Sequence, residues 1–279
     1  MAEPAGPILE LKNVSLRFED TWALRDVSFT LNSGETHVIL GAAGSGKTSL
    51  LKSVIGLVTI DQGEIKLFGE DITRLAEHGL YPLRSRTGVL FQEGALFDSL
   101  SVGENVEYPL INQQSDDKGS VLAEEAEPRV RETLRFVELE QTFDKFPSEL
   151  SGGMRRRVGI ARAIVTEPPL VLYDSPTAGL DPITANNIMA LILKERDVRN
   201  TASLIVTHRY QDGELMANFR YDPEQQELIC LADADRARHR TRFIVMKEGE
   251  IVFFGTRQEL ESCRNDYVKR FVKHEEHHA

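Results

Sequence analysis

The run Gly41-Ala42-Ala43-Gly44-Ser45-Gly46-Lys47-Thr48 constrains the fold of this chain more than any other stretch. Its spacing, G-x-x-x-x-G-K-[ST], is that of a loop whose backbone N–H groups wrap a phosphate. The lysine then reaches the β/γ oxygens and the threonine hydroxyl points at Mg²⁺. Thr36-His37-Val38-Ile39-Leu40 feeds into the loop as a strand-like run, and residues 48–55, with Ser49 in the first turn, leave it as a helix-like one. Strand, loop and helix in that order are the context the motif needs. Gly41, Ala42, Ala43, Gly44, Ser45, Gly46, Lys47, Thr48 and Ser49 are therefore the expected nucleotide contacts.

The rest of the chain supplies what such a loop sits in. Residues 38–40, 88–91, 170–173 and 204–206 are short, continuous apolar runs interspersed with helical stretches, as expected for strands buried on both faces of a parallel sheet. Residues 8–18, 23–31 and 64–68 alternate more loosely and read as antiparallel strands. Residues 94–168 show helical periodicity at Val130, Leu134 and Val137 and again from Met154 to Ile164, with no clear strand. The expected fold class is α/β: a P-loop NTPase core with a mainly parallel sheet, an N-terminal antiparallel β subdomain and an inserted α-helical subdomain, all within one domain over residues 1–279.

Two segments read as loops. Residues 112–128 are polar and acidic and predict a solvated connection. Residues 217–240 hold the turn Tyr221-Asp222-Pro223-Glu224 and lead into an Arg-rich stretch at 236–242, which predicts a small hairpin or flap, with a basic contact surface as the second reading. Residues 265–279 are the C-terminal tail, and its run His274-Glu275-Glu276-His277-His278 reads as a disordered terminus.

Composition excludes several functions. The chain has 44 acidic against 33 basic residues, a net charge of -11, which argues against a nucleic-acid partner. With 41% apolar residues and interspersed charges it should nonetheless be folded. No window approaches the roughly 20 apolar residues of a membrane span, and the N-terminus lacks a leader pattern, so a cytoplasmic protein is expected whose membrane role, if any, comes through a partner. Cys230 and Cys263 form no C-x-x-C and suggest ordinary thiols.

Further candidates lie downstream. Asp174 ends an apolar run, which places its carboxylate at the C-terminal edge of a parallel strand, where an α/β sheet presents its ligands and where P-loop enzymes hold Mg²⁺. Ser151-Gly152-Gly153 opens a helix, with serine as a natural N-cap and glycines that let N–H groups approach an anion at the positive end of the dipole. By themselves these residues also fit a plain helix start. In isolation Phe18 reads as a core aromatic, Gln92 as a loop amide and His208 as a satisfied core histidine.

Taken in order, the motifs resemble an ATP-binding cassette (ABC) nucleotide-binding domain over essentially the whole chain. They are the P-loop, a Q-loop at Phe91-Gln92, a signature at Leu150-Ser151-Gly152-Gly153-Met154, a Walker B strand ending at Asp174, a D-loop at Ala178-Gly179-Leu180-Asp181 and an H-loop at Thr207-His208. The resemblance implies ATP and Mg²⁺ as cofactors, with Thr48, Gln92 and Asp174 around the metal. It implies that two copies pair head-to-tail, each giving Ser151, Gly152, Gly153 and Asp181 to the nucleotide on the other's P-loop, so that dimerisation and ATP binding are one event. It further implies that Phe18 stacks on adenine, with Trp22 as a rival, that Gln92 reports to a membrane partner and that His208 contacts the γ-phosphate. Within the family, Leu90-Phe91-Gln92-Glu93-Gly94-Ala95-Leu96-Phe97, Glu104-Asn105-Val106-Glu107-Tyr108-Pro109-Leu110, Met154 and Asp181-Pro182-Ile183-Thr184 are similar to the Mla/Mce-type ATPases, which move phospholipid between the membranes of Gram-negative bacteria. The partners so implied are a second copy, membrane permease subunits and an MCE-domain lipid-binding protein, at the cytoplasmic face of the inner membrane.

One departure matters. Where the family places a glutamate after the Walker B aspartate, Tyr173-Asp174-Ser175-Pro176 has a serine. A hydroxyl does not accept a proton near neutral pH as a carboxylate does, so base assistance worth about 10² to 10⁴ in rate is missing. Phosphoryl transfer depends mainly on positioning and charge, which leaves slow turnover through Ser175, His208 and Gln92 open. Two expectations follow: a transport-coupled ATPase, or a nucleotide-gated clamp without appreciable turnover. A soluble ABC protein of DNA repair or translation fits poorly, since those carry a coiled-coil insertion or a second cassette.

Overall fold

A computed structural model describes residues 6–91, 94–112, 123–232 and 240–272. The alternating N-terminal runs form β1 (Leu9–Phe18) and β2 (Thr21–Leu31), paired antiparallel with Leu9 opposite Leu31 and Phe18 opposite Thr21. Next come β3 (Thr36–Gly41), buried throughout, α1 (Lys47–Val54), β4 (Gln62–Leu67) and the short β5 (Glu70–Asp71). A four-stranded antiparallel sheet results, in the order β2-β1-β4-β5. Its apolar side, with Leu9, Leu11, Val27 and Ile65, packs in one cluster with Leu50 and Val54 of α1 and Ile39 of β3. The P-loop helix thus lies between the two sheets.

After α2 (Glu77–Arg84) and β6 (Thr87–Leu90) the chain leaves the sheet for α3 (Val102–Ile111), α4 (Ala123–Phe136) and α5 (Gly152–Ile164), and returns as β7 (Leu170–Asp174). Then follow α6 (Pro182–Arg199), β8 (Ala202–Val206), α7 (Tyr210–Asn218), the hairpin β9 (Phe219–Asp222) and β10 (Glu227–Cys230), the final strands β11 (Thr241–Lys247) and β12 (Glu250–Gly255), and the short helices α8 (Arg257–Ser262) and α9 (Asp266–Val272). The main sheet has the order β12-β11-β3-β8-β7-β6, parallel from β11 to β6 with only β12 antiparallel. Every residue of β3, β7 and β8 is buried, as continuous apolar strands covered on both faces must be. The fold class is α/β with a mainly parallel core sheet and a second, antiparallel one.

Two expectations change. The polar connection was expected to run to residue 128, but α4 already begins at Ala123, with Pro128 inside it. Glutamates and alanine favour helix on a solvated face as well as they favour a loop, so polarity did not mark the boundary; residues 113–122 lie outside the described residues. Phe18, read alone as core, is 50% exposed, because as the last residue of β1, opposite the exposed Thr21, it falls outside the buried apolar cluster of that sheet. Cys230 and Cys263 are free thiols. The tail from residue 273, and residues 233–239 of the Arg-rich stretch, lie outside the described residues.

Candidate nucleotide site

The loop after β3 is shaped by what a side chain cannot occupy. Gly46 caps α1 at φ 103, and a Cβ there would lie 2.2 Å from the Ala23 carbonyl oxygen, so the final glycine of the motif admits no other residue. Lys47 follows, only 5% exposed. Its ammonium folds back onto the loop, donating to the Gly41 and Ala42 carbonyls at 2.8 Å each and to Ser45 Oγ at 3.3 Å. Burial pushes its pKa down to about 8, against the pull of the Asp174 carboxylate.

Thr48, in the first turn of α1, donates its hydroxyl to Asp174 Oδ2 at 3.2 Å, joining the P-loop helix to the end of β7. A hydroxyl and a carboxylate side by side, next to a buried ammonium and a glycine-shaped loop, are the hard oxygen donors and the phosphate cradle that Mg²⁺ with a nucleotide requires. Among the described residues no group of three or more His, Cys, Asp or Glu gathers elsewhere as a metal site.

The neighbouring strand ends complete the floor. Ser175 has φ 51, an uncommon left-handed conformation for a residue with a side chain. Its N–H donates to the Val206 carbonyl at 2.9 Å and its hydroxyl to Asp174 Oδ1 at 3.3 Å. The Thr207 N–H donates to the Ile39 carbonyl at 3.1 Å, bringing His208 to the rim beside the P-loop. His208 is exposed on its outer side, and its imidazole sits below the usual value, through loss of water on the inner side first and the Lys47 charge second. It is therefore neutral at pH 7.

The other candidates are placed as follows. Phe18 presents an exposed ring, whereas the Trp22 ring is half-buried between the Arg17 and Arg25 guanidinium groups, 5.6 and 5.8 Å from its centroid. Ser151 caps α5, its hydroxyl accepting from the Met154 N–H at 3.3 Å. A Cβ on Gly153 would come within 2.7 Å of the Thr184 methyl, so the start of α5 lies close against α6. The main packing partners of α5 are α3, α4, α6 and β6, and α1 is not among them. Asp181 caps α6, accepting from the Ile183 and Thr184 N–H groups at 3.0 Å each, and its carboxyl is held below the usual range by the Thr184 side-chain and backbone bonds. Gln92 lies outside the described residues. One buried group escaped the sequence reading: Asp212, in the first turn of α7, accepts the hydroxyls of both Thr177 and Thr207. Its only sequence signal is an acid one helical turn after His208.

A P-loop opening between strand and helix, a hydroxyl–carboxylate pair at its mouth and a histidine on the adjacent strand end define a P-loop nucleotide-binding cassette. The family model described as "ABC transporter" matches residues 24–178, and the chain belongs to that family. It is 39% identical over 205 residues to a probable ribonucleotide transport ATP-binding protein, mkl, of Mycobacterium leprae, a match covering 74% of this chain and 58% of that protein. The chain thus spans little more than half the length of this relative. It is 35% identical over 223 residues to the intermembrane phospholipid transport system ATP-binding protein MlaF of Haemophilus influenzae, covering 80% of this chain and 83% of that one. A solved dimeric ATP-binding cassette, MJ0796, in a post-hydrolysis state with ADP and Pi, superposes with a TM-score of 0.71 at 31% identity, covering 89% of this chain and 98% of the other.

Proposed function

We propose that this chain is the ATP-driven subunit of a membrane transporter. The observation that carries the reading is the Thr48–Asp174 contact at 3.2 Å beside the buried Lys47 ammonium. Thr48 and Asp174 would hold Mg²⁺, Lys47 and the loop from Gly41 to Ser49 would hold the phosphates, and Phe18 would cover the base. Bound Mg²⁺ supplies charge neutralisation between the β- and γ-phosphates. Around it, Ser175 and His208 would orient water, with Gln92 as the third contact that the family resemblance implies. Ser151, Gly152, Gly153 and Asp181 would serve a second copy's nucleotide, since the P-loop helix α1 is not among the main packing partners of α5. The test is Lys47→Ala with fluorescent ATP: binding is lost while the melting curve is unchanged, and wild-type affinity would sink the assignment.

No helix among the described residues is long and apolar enough to cross a membrane, so transport needs a membrane-embedded partner. A groove of about 650 Å³, lined by Tyr81, Phe91, Phe97, Tyr108 and Arg162 among others, lies where α2 and β6 meet α3 and α5. Four of these are exposed aromatic side chains, and Phe91 directly precedes Gln92. We assign this groove to the permease. The substrate class we favour is phospholipid, supported by the likeness to MlaF and by the loop residues shared with Mla-type ATPases; the mkl relative carries a ribonucleotide name instead. Stimulation of ATP turnover by a co-expressed permease and MCE-domain protein in phospholipid vesicles, and not by permeases of other substrate classes, tests it.

Ser175 favours a second reading, a nucleotide-gated clamp. Its hydroxyl is committed to Asp174 and its backbone to Val206, so neither offers a base to water. Steady-state phosphate release separates the two: turnover supports the motor, and binding without release supports the clamp.

A further inference from the structure

Asp212 is 1% exposed, and one of its oxygens carries two hydrogen bonds that cross between elements. Oδ2 accepts the Thr177 hydroxyl at 2.5 Å and the Thr207 hydroxyl at 2.5 Å. Oδ1 is buried without a hydrogen bond, the Arg209 Nε being 3.8 Å away. A carboxylate buried this deeply is costly unless its bonds are good, and burial indeed raises its pKa while the two hydroxyls lower it.

The two donors are what make the position significant. Thr177 lies two residues after Ser175, in the turn closed by the Ala178 N–H on the Ser175 carbonyl at 3.1 Å. Thr207 directly precedes His208, and its hydroxyl also accepts the Arg209 N–H at 3.1 Å. The same turn is held from the other side by Arg156 of α5, whose guanidinium donates to the Ala178 carbonyl at 3.2 Å. The two strand ends that face the γ-phosphate therefore meet at one oxygen. A glutamate at position 175 would bind water through its own charge; a serine relies on where it and His208 are held.

We propose that Asp212 is a positioning residue: by accepting both hydroxyls it fixes the turn bearing Ser175 against the segment bearing His208 and so sets the geometry of the γ-phosphate site. It touches neither nucleotide nor water. The inference rests on the nucleotide-site reading above, and on no titration of Asp212.

The test uses the full chain with Mg·ATP and three readouts: ATP affinity, single-turnover hydrolysis and the ATP concentration that produces dimers. Asp212→Ala removes the shared acceptor, so hydrolysis falls about ten- to a hundredfold, as expected for losing hydrogen bonds to a charged group. ATP affinity stays within about threefold, because Lys47 and the P-loop bonds are untouched. Asp212→Asn keeps an acceptor oxygen at the same place and restores the rate to within about fivefold of wild type. A wild-type rate in Asp212→Ala, an asparagine no better than alanine, or ATP affinity lost along with the rate would each overturn the proposal in favour of a structural role. If Asp212→Ala does not fold, Thr177→Val removes one donor only and lowers the rate about three- to tenfold, with no change counting against us. If the wild type hydrolyses no ATP at all, the motor reading fails by itself. Dimerisation then decides: Asp212→Ala needs about tenfold more Mg·ATP, Asp212→Asn does not, and equal requirements overturn the proposal.

Discussion

Ser175 and Lys47 show how two side chains in one site meet opposite demands. Ser175 sits at φ 51 beside the carboxylate of Asp174, and a glutamate placed there adopts the same left-handed backbone at similar cost. Ser175→Glu then puts a base next to the Mg²⁺ position, and single-turnover hydrolysis rises about ten- to a thousandfold, within or below the usual range for a positioned base. A flat or lower rate would show that the water is already placed by His208 and that the new charge crowds the γ-phosphate. Lys47 carries the converse problem, a cation in a site that holds anions only part of the time. With its pKa pushed to about 8 by burial, it is charged at pH 7 and neutral well above 8. ATP phosphates favour the charged form, so above pH 8 binding must take up a proton, and affinity is complete below pH 8 and lost as pH rises. Calorimetry at pH 7 and 9 should find Mg·ATP about tenfold weaker at pH 9, and no such loss in Lys47→Arg, whose guanidinium stays charged. An affinity independent of pH from 7 to 9 would refute the shift.

Elements were legible where their signal is local and not where it depends on a distant partner. The P-loop and Asp174 could be placed because each ends a short apolar run, and β3, β7 and β8 stand where those runs are; His208 ends such a run too, but alone it reads as a core histidine and takes its expected role only from the order of the family motifs. β11 is no less apolar, yet it was not singled out: it follows an Arg-rich stretch, and its register with β3, Thr241 opposite Thr36, comes from a strand far back in the chain. Asp212 was missed for the same reason, since its two partners belong to other elements. The helical region offers a local device of another kind. Asn105 on α3 is fully buried; its amide oxygen accepts the Phe97 N–H at 2.8 Å and its Nδ2 lies 2.9 to 3.1 Å from the Phe97, Leu100 and Ser101 carbonyls. One side chain thus folds the loop that carries Phe97, whose ring meets Tyr108 at 4.8 Å on the rim of the groove assigned to the permease. Asn105→Ala leaves these groups buried without partners and should cost about 3 kcal/mol in urea unfolding. Truncating the exposed Asn112 at the opposite, C-terminal end of the same helix should cost less than about 0.5 kcal/mol, and equal losses would show that the loop does not depend on Asn105.

For the whole molecule, the distribution of motifs is the constraint. Lys47 and Thr48 open α1 between the sheets, whereas Ser151 opens α5, which packs on α3, α4, α6 and β6. Under the proposed reading the site is completed by a second copy, each contributing what the other lacks. Such an isologous contact would bind two nucleotides and close on itself. With nucleotide as part of that interface, association would follow ligand concentration by mass action. The chain alone should therefore run as a monomer in size-exclusion light scattering and shift to a dimer with Mg·ATP, and without a glutamate at 175 the dimer should persist for minutes rather than decay as ATP is consumed. Ser151→Arg places a long cation where the γ-phosphate of the opposite nucleotide must approach the α5 cap, and it removes the hydroxyl that accepts the Met154 N–H. It should abolish the shift while leaving ATP binding to the monomer unchanged, since Ser151 has no part in its own chain's P-loop. A mass independent of ATP, or a Ser151→Arg variant that still dimerises at wild-type ATP concentrations, would mean that the two faces do not meet as proposed.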